Sequence, residues 1–146
     1  MSQSDLLKIF ELIDLTSLND TDDAHTIISL CKKTMINNHH VAAVCVYPPF
    51  VTTAKESLAN DAVRVATVAN FPAGTGSLED VQALILQSIA DGADEIDVVF
   101  PYQQYLRGEK AEAFEFVRAC KLTCGENVLL KVILETGALQ DAETIA

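Results

Sequence analysis

Glycine and proline are scarce in this sequence, ten of 146 residues, or about 7% against roughly 12% in an average chain. A chain so poor in breakers builds regular elements rather than a loop-rich scaffold. Positive charge is equally short. Ten Lys and Arg stand against twenty-one Asp and Glu, for a net charge of −11 and a pI near 4.5. Phosphate backbones and anionic bilayers need a cationic face to displace their counterions, so neither nucleic acid nor a membrane is expected as a partner. No apolar run approaches the ~18–20 residues that span a bilayer. Residues 1–14 carry Asp5 and Glu11 among short apolar pairs and lack the basic and apolar segments of a secretion signal. The four cysteines, Cys31, Cys45, Cys120 and Cys124, do not form a disulfide framework: two sit four apart in a helical segment and one lies inside a strand-like run. The chain reads as cytoplasmic.

What is present is an alternation of hydrophobic period. Residues 12–16, 41–47, 64–71, 95–100 and 128–135 are strand-like apolar runs, several of them stopped by proline. Between them lie helical patterns. Ile27, Ile28, Cys31 and Met35 share one face, residues 52–60 form a short helix, and residues 110–124 form a longer one. Ser77, with Asp80 three positions on, caps a helix whose stripe is Val81, Leu84, Ile85, Ser88 and Ile89. The runs begin at 12, 41, 64, 95 and 128, so the intervals are 29, 23, 31 and 33, the length of a strand–helix unit. Strands apolar on both faces and joined by helices imply a parallel sheet covered by helices. An open doubly wound sheet and part of a (β/α)₈ barrel both fit, and length alone favours the open sheet. Residues 1–146 read as one domain whose last six residues look like the first turn of a further helix.

Three charges interrupt these aliphatic strands. Asp14 lies between Ile13 and Leu15, Asp97 between Ile96 and Val98, and Lys131 between Leu130 and Val132. Burying a lone charge is costly, so each is expected to be paired or to stand at the wet C-terminal mouth of the sheet. Carboxylates and an amine converging on one place suit proton transfer at carbon, because burial and mutual charge tune their pKa values. Two aspartates against one lysine leave the group short of a cation. Either one aspartate is protonated or another basic group joins it.

Cys45 is expected as a buried thiol near the C-terminal end of the second strand. Cys120 and Cys124 have no second ligand pair, so no zinc site is expected. His39 and His40 read as surface residues at a turn. Gly74-Thr75-Gly76 is a turn before a helix, where an anion could meet the N-terminal dipole. It lacks the third glycine of a dinucleotide fingerprint and the lysine of a P-loop.

Five segments together carry a resemblance. They are Leu15-Thr16-Ser17-Leu18-Asn19 after Asp14, Ala43-Val44-Cys45-Val46-Tyr47-Pro48, Ala66-Thr67-Val68-Ala69-Asn70-Phe71-Pro72, Gly92-Ala93-Asp94-Glu95-Ile96-Asp97-Val98-Val99, and Leu130-Lys131-Val132-Ile133-Leu134-Glu135-Thr136-Gly137. In order and spacing they resemble the deoxyribose-phosphate aldolases. The resemblance implies a (β/α)₈ barrel with a short extra helix before the first strand, here residues 6–11. It implies reversible cleavage of 2-deoxyribose 5-phosphate to glyceraldehyde 3-phosphate and acetaldehyde through a Schiff base, with no metal and no cofactor. It makes Asp97 the proton-relay aspartate, places Asp14 and Lys131 in the charged network beside it, sets Cys45 close to the aldehyde, and lines the site with Thr16 and Asn19.

One departure matters. The family's Schiff-base lysine lies on strand six in a Lys-Thr-Ser-Thr-Gly motif, and a second lysine lies on strand seven before Pro-Ala-Gly-Gly. Neither motif occurs in these 146 residues, nor do the glycine- and serine-rich loops that hold the phosphate. The resemblance therefore implies an incomplete barrel of about five parallel strands, cut within helix five, with no Schiff-base lysine and no activity alone. Its first and fifth strands are expected to expose edges through which copies associate. The competing readings are a free-standing open α/β module holding a phosphate at Gly74–Gly76 and a purely structural, self-associating barrel fragment.

Overall fold

The computed structural model describes residues 2–58 and 62–145. Five parallel strands form one sheet in sequence order: β1 (Asp14–Ser17), β2 (Ala43–Val46), β3 (Arg64–Ala69), β4 (Glu95–Val99) and β5 (Leu129–Ile133). Every crossover carries at least one helix. These are α2 (Ala24–Cys31), α3 (Val51–Ser57), α4 (Leu78–Ala90), and the pair α5 (Tyr102–Leu106) and α6 (Lys110–Cys124). Helix α1 (Gln3–Phe10) precedes the sheet, and α7 (Thr136–Leu139) and α8 (Ala142–Ile145) follow it. Strand order equal to chain order is the arrangement of a barrel segment, whereas a doubly wound sheet reverses direction at its switch point. The incomplete (β/α) barrel is therefore the observed fold, and the open flavodoxin-like sheet favoured by length is corrected.

The two faces of the sheet differ in side-chain size. Val44, Val46, Val65, Ile96 and Val98 point outward and pack with Ile27, Ile85, Phe116 and Cys120 of the helices into the main core. The inner face carries Ala43, Cys45, Ala66 and Val68, closed by Leu18 and Tyr47. Around the charges, the concave side thus carries the shorter aliphatic side chains and the convex side the bulkier ones.

Helix ends follow local chemistry. Ser77 accepts from the Asp80 amide, as its spacing predicts, and Asp23 accepts from the Thr26 amide at 2.8 Å. Val81, Ile85 and Ser88 are buried, so the predicted stripe of α4 faces the sheet. Lys110–Cys124 runs over the predicted span. The helix expected over 52–60 is helical from 51 to 57, and its predicted end lies outside the described residues.

Other expectations are corrected. Helix α2 stops at Cys31, whose carbonyl accepts the Thr34 hydroxyl at 2.8 Å, so Met35 does not share the helical face. Met35 opens a hairpin instead, pairing with His40 while Ile36 pairs with His39. Asn37 and Asn38, with φ of 49° and 65°, form its turn, the left-handed geometry that asparagine tolerates and a two-residue hairpin requires. His39 and His40 are thus half-buried hairpin residues, and His39 Nδ1 meets Glu11 Oε1 at 2.7 Å. The short helix α5 follows Pro101 where no helix was expected.

Candidate active site

The three strand charges converge on the concave face. Period-two alternation sends Asp97 inward from β4 between the outward Ile96 and Val98, and Lys131 lies beside it in register on β5. The curl of the sheet then brings β1 across the lumen. Lys131 Nζ donates to Asp14 Oδ2 at 2.5 Å and to Asp97 Oδ2 at 3.3 Å. The pairing alternative holds: Asp97 and Lys131 stand in the middle of their strands, and neither charge is beyond a strand end.

A fourth group was not anticipated. Glu95 Oε2 lies 3.1 Å from Lys131 Nζ, with a side chain only 15% exposed. Its signal was present in the sequence, because Glu95 is two positions before Asp97 and so shares its face of the strand. Three carboxylates therefore surround one ammonium, and the deficit of positive charge is larger than two aspartates alone imply.

The electrostatics follow from this crowding. Burial, with Asp14 and Glu95 adding repulsion, outweighs Lys131 and raises Asp97 above the usual carboxylate range. Burial on its own would lower Lys131, but the bonds to Asp14 and Asp97 overcome it, and the amine is held firmly as ammonium. Cys45 points its Sγ at Asp97 Oδ2 from 3.8 Å. Burial and then the Asp97 charge push that thiol up to about 12, so at neutral pH it is a proton-bearing thiol and not a nucleophilic thiolate.

The remaining predicted residues stand apart from the charges. Thr16 pairs in register with Cys45, but it is exposed and its hydroxyl donates to the Asp14 carbonyl at 2.9 Å. Asn19 is exposed and donates to Ser17 and Asp22 in the loop after β1. The structure thus brings Asp14, Asp97, Lys131 and Cys45 together and leaves Thr16, in register with Cys45 but exposed, and Asn19 toward the rim.

The loops after β2 and β3, with the start of α4, line an open cavity of about 290 Å³, whose walls include Tyr47, Val68, Asn70 and Phe71. Val68 belongs both to this wall and to the inner layer with Cys45. Tyr47 and Phe71 meet edge to face at 6.1 Å. Asn70 organises the wall. Its φ is 56°, its Nδ2 donates to the Val99 carbonyl at 2.9 Å, and its Oδ1 accepts the Gly76 amide at 2.7 Å. Gly74 completes the turn at φ 68°, and a Cβ there would lie 2.8 Å from the Phe100 carbonyl oxygen, so no other residue fits.

Chemically, the arrangement can hold and move a proton at Asp97, with a fixed ammonium and a thiol at its side. It offers no free amine. Among the described residues, no helix is long and apolar enough to cross a membrane.

Comparisons with known proteins bear on the family and the fold. The profile of DeoC/LacD family aldolases matches residues 8–145. A protein provisionally described as a deoxyribose-phosphate aldolase from Coccidioides immitis superposes with a TM-score of 0.87 at 30% identity, over 95% of this chain and 53% of that one. QR15, named an aldolase, gives 0.83 at 23% identity, over 94% and 59%. The deoxyribose phosphate aldolase of Aeropyrum pernix, described as a tetramer, gives 0.65 at 20% identity, over 99% and 64%. The last two likenesses speak for the fold alone. The chain spans about half the length of the Coccidioides protein.

Proposed function

Given that the chain belongs to the DeoC/LacD family of aldolases, we propose that its Asp97 cluster is the proton-transfer side of a Schiff-base aldolase site acting on 2-deoxyribose 5-phosphate. In that reaction an enzyme amine condenses with the sugar aldehyde and releases water. A base takes the proton from the C3 hydroxyl, the C2–C3 bond breaks, and its electron pair is held as an enamine while glyceraldehyde 3-phosphate departs. A proton delivered to the enamine carbon and hydrolysis of the resulting iminium release acetaldehyde and restore the amine. Asp97, raised by burial, suits the proton steps. Lys131 supplies fixed positive charge, Cys45 borders the aldehyde, and Thr16 and Asn19 lie toward the rim.

The observation that carries this reading is the trio of carboxylates around Lys131. It supports proton chemistry at Asp97 and argues against Lys131 as the amine that attacks the aldehyde. On this reading the chain supplies five of eight β/α units and is inactive alone. Borohydride trapping with acetaldehyde on the 146-residue chain is expected to label no lysine above the background of exposed amines. Substrate-dependent labelling of Lys131 would overturn the reading.

We further propose that copies associate through the free sides of β1 and β5, each of which pairs with only one neighbour within the sheet. Light scattering over a wide concentration range should give a mass that rises with concentration, and a constant monomer mass would count against it. The cytoplasmic assignment rests on four free and buried cysteines. The phosphate-module alternative is weakened at Gly74–Gly76, because the cation of the adjoining cavity, Arg107, is already paired with Glu109 at 2.8 Å.

A further inference from the structure

Lys131 sits among three carboxylates, yet the contacts are unequal. Asp14 Oδ2 and Asp97 Oδ2 accept hydrogen bonds from Nζ. Asp97 Oδ1 is nearer, at 3.0 Å, but the contact lacks hydrogen-bond geometry, and this buried oxygen accepts no hydrogen bond. A buried carboxylate oxygen so close to an ammonium would ordinarily be bonded to it. Glu95 Oε2 lies 3.1 Å from the same nitrogen, as an ion pair and not a hydrogen bond, and is the third anion around it.

We infer that Glu95 is a positioning residue for Asp97: by sharing the Lys131 ammonium with Asp14, it keeps a lone pair of Asp97 Oδ1 unbonded inside the site and ready to accept a proton. Both residues hang from β4 with Ile96 between them, so the strand fixes their spacing. The groups facing Asp97 are Asp14 from β1, Cys45 from β2, Glu95 from its own strand and Lys131 from β5. Of these only Lys131 bears positive charge, so the direction in which its hydrogens point governs how readily Asp97 takes a proton. Glu95 also adds its own negative charge, and the two effects have the same sign.

The inference rests on Asp97 being the proton-transfer group, but the test reads the carboxyl itself and needs no turnover. In the 146-residue chain labelled with ¹³C at aspartate side chains, the Asp97 carboxyl is followed by NMR against pH. In Glu95→Gln, which keeps volume and an acceptor oxygen, its titration midpoint should fall by about one pH unit, as the ammonium turns to Oδ1. An unchanged or raised midpoint overturns the inference. Glu95→Asp retains the charge but falls short of Nζ by one methylene, and it also serves should the glutamine variant not fold. There a smaller fall is expected. A midpoint equal to wild type in Glu95→Asp would make charge alone the cause and overturn the positioning role. A failure of the aldolase reading would appear separately, as Lys131 labelling in the trapping experiment.

Discussion

Asp14 in the first strand and Lys131 in the fifth are 117 positions apart in sequence, and their side chains meet at 2.5 Å. No backbone hydrogen bonds join these two strands, so the contact spans the lumen of an open, curled sheet. It ties the two ends of the sheet across its concave side.

Removing that tie should be costly in a pH-dependent way. Lys131→Met leaves three carboxylates facing one another. Because the lysine is about one-third exposed, the loss should be about 2 kcal/mol at neutral pH, between the ~1 kcal/mol of an exposed pair and the 3–5 kcal/mol typical of a broken buried one. Urea denaturation measures it. The loss should shrink as the pH falls and Asp97, its proton affinity raised by burial, takes up a proton. A loss independent of pH would assign the effect to packing of the lysine stem.

Cys45 sets an alkaline limit. Its pKa, 9.0 when unperturbed, is pushed up to about 12 in the fold by burial and then by Asp97. The unfolded chain therefore releases this proton first, and stability is full below about pH 9 and declines as pH rises toward the folded value. Cys120, pushed up to about 11 by burial and Cys124, acts in the same direction. In Cys45→Ala the decline between about pH 8 and about pH 10.5 should be smaller by about 1–2 kcal/mol. Parallel declines in the two proteins would contradict the assignment.

Asn70 performs two separable tasks, a left-handed backbone and a side-chain bridge. Asn70→Ala should cost about 2–4 kcal/mol by losing both. Asn70→Gly restores only the backbone and should recover about 1 kcal/mol of that. If glycine were no better than alanine in thermal or urea melts, the backbone would not be contributing.

The two sides of the helix layer should respond very differently. Ile96 is fully buried in the main core, and Ile96→Ala should cost about 2–5 kcal/mol. Leu122, on the outer side of α6, is 70% exposed, and Leu122→Ala should fall within about 0.5 kcal/mol of wild type.

Much of this fold is legible in the sequence because parallel strands are buried on both sides and advertise themselves as unbroken aliphatic runs. The ends of those runs are less legible. Leu12 and Ile13 continue the first run backwards, but both precede β1, and Leu12 is 80% exposed. Apolar identity marks where burial is possible, whereas strand ends are set by which backbone groups find partners. The hairpin at Met35–His40 was missed because two-residue strands carry no period, and its one signal is the Asn37-Asn38 pair. In the site, Asp14, Asp97 and Lys131 stood out because each breaks an aliphatic run. Glu95 opens its strand and breaks nothing, so it reads as a boundary unless its two-residue offset from Asp97 is weighed.

The short side chains of the inner layer have a further consequence. Ala43, Cys45, Ala66 and Val68 make one small packed layer on the concave face, beside the charges. Apart from Cys45, whose thiol meets Asp97, none of them carries an ionisable group. Enlarging Ala66 would crowd the concave face without altering any ionisable group, so the bulk of this layer and the charges beside it can be varied separately in this scaffold.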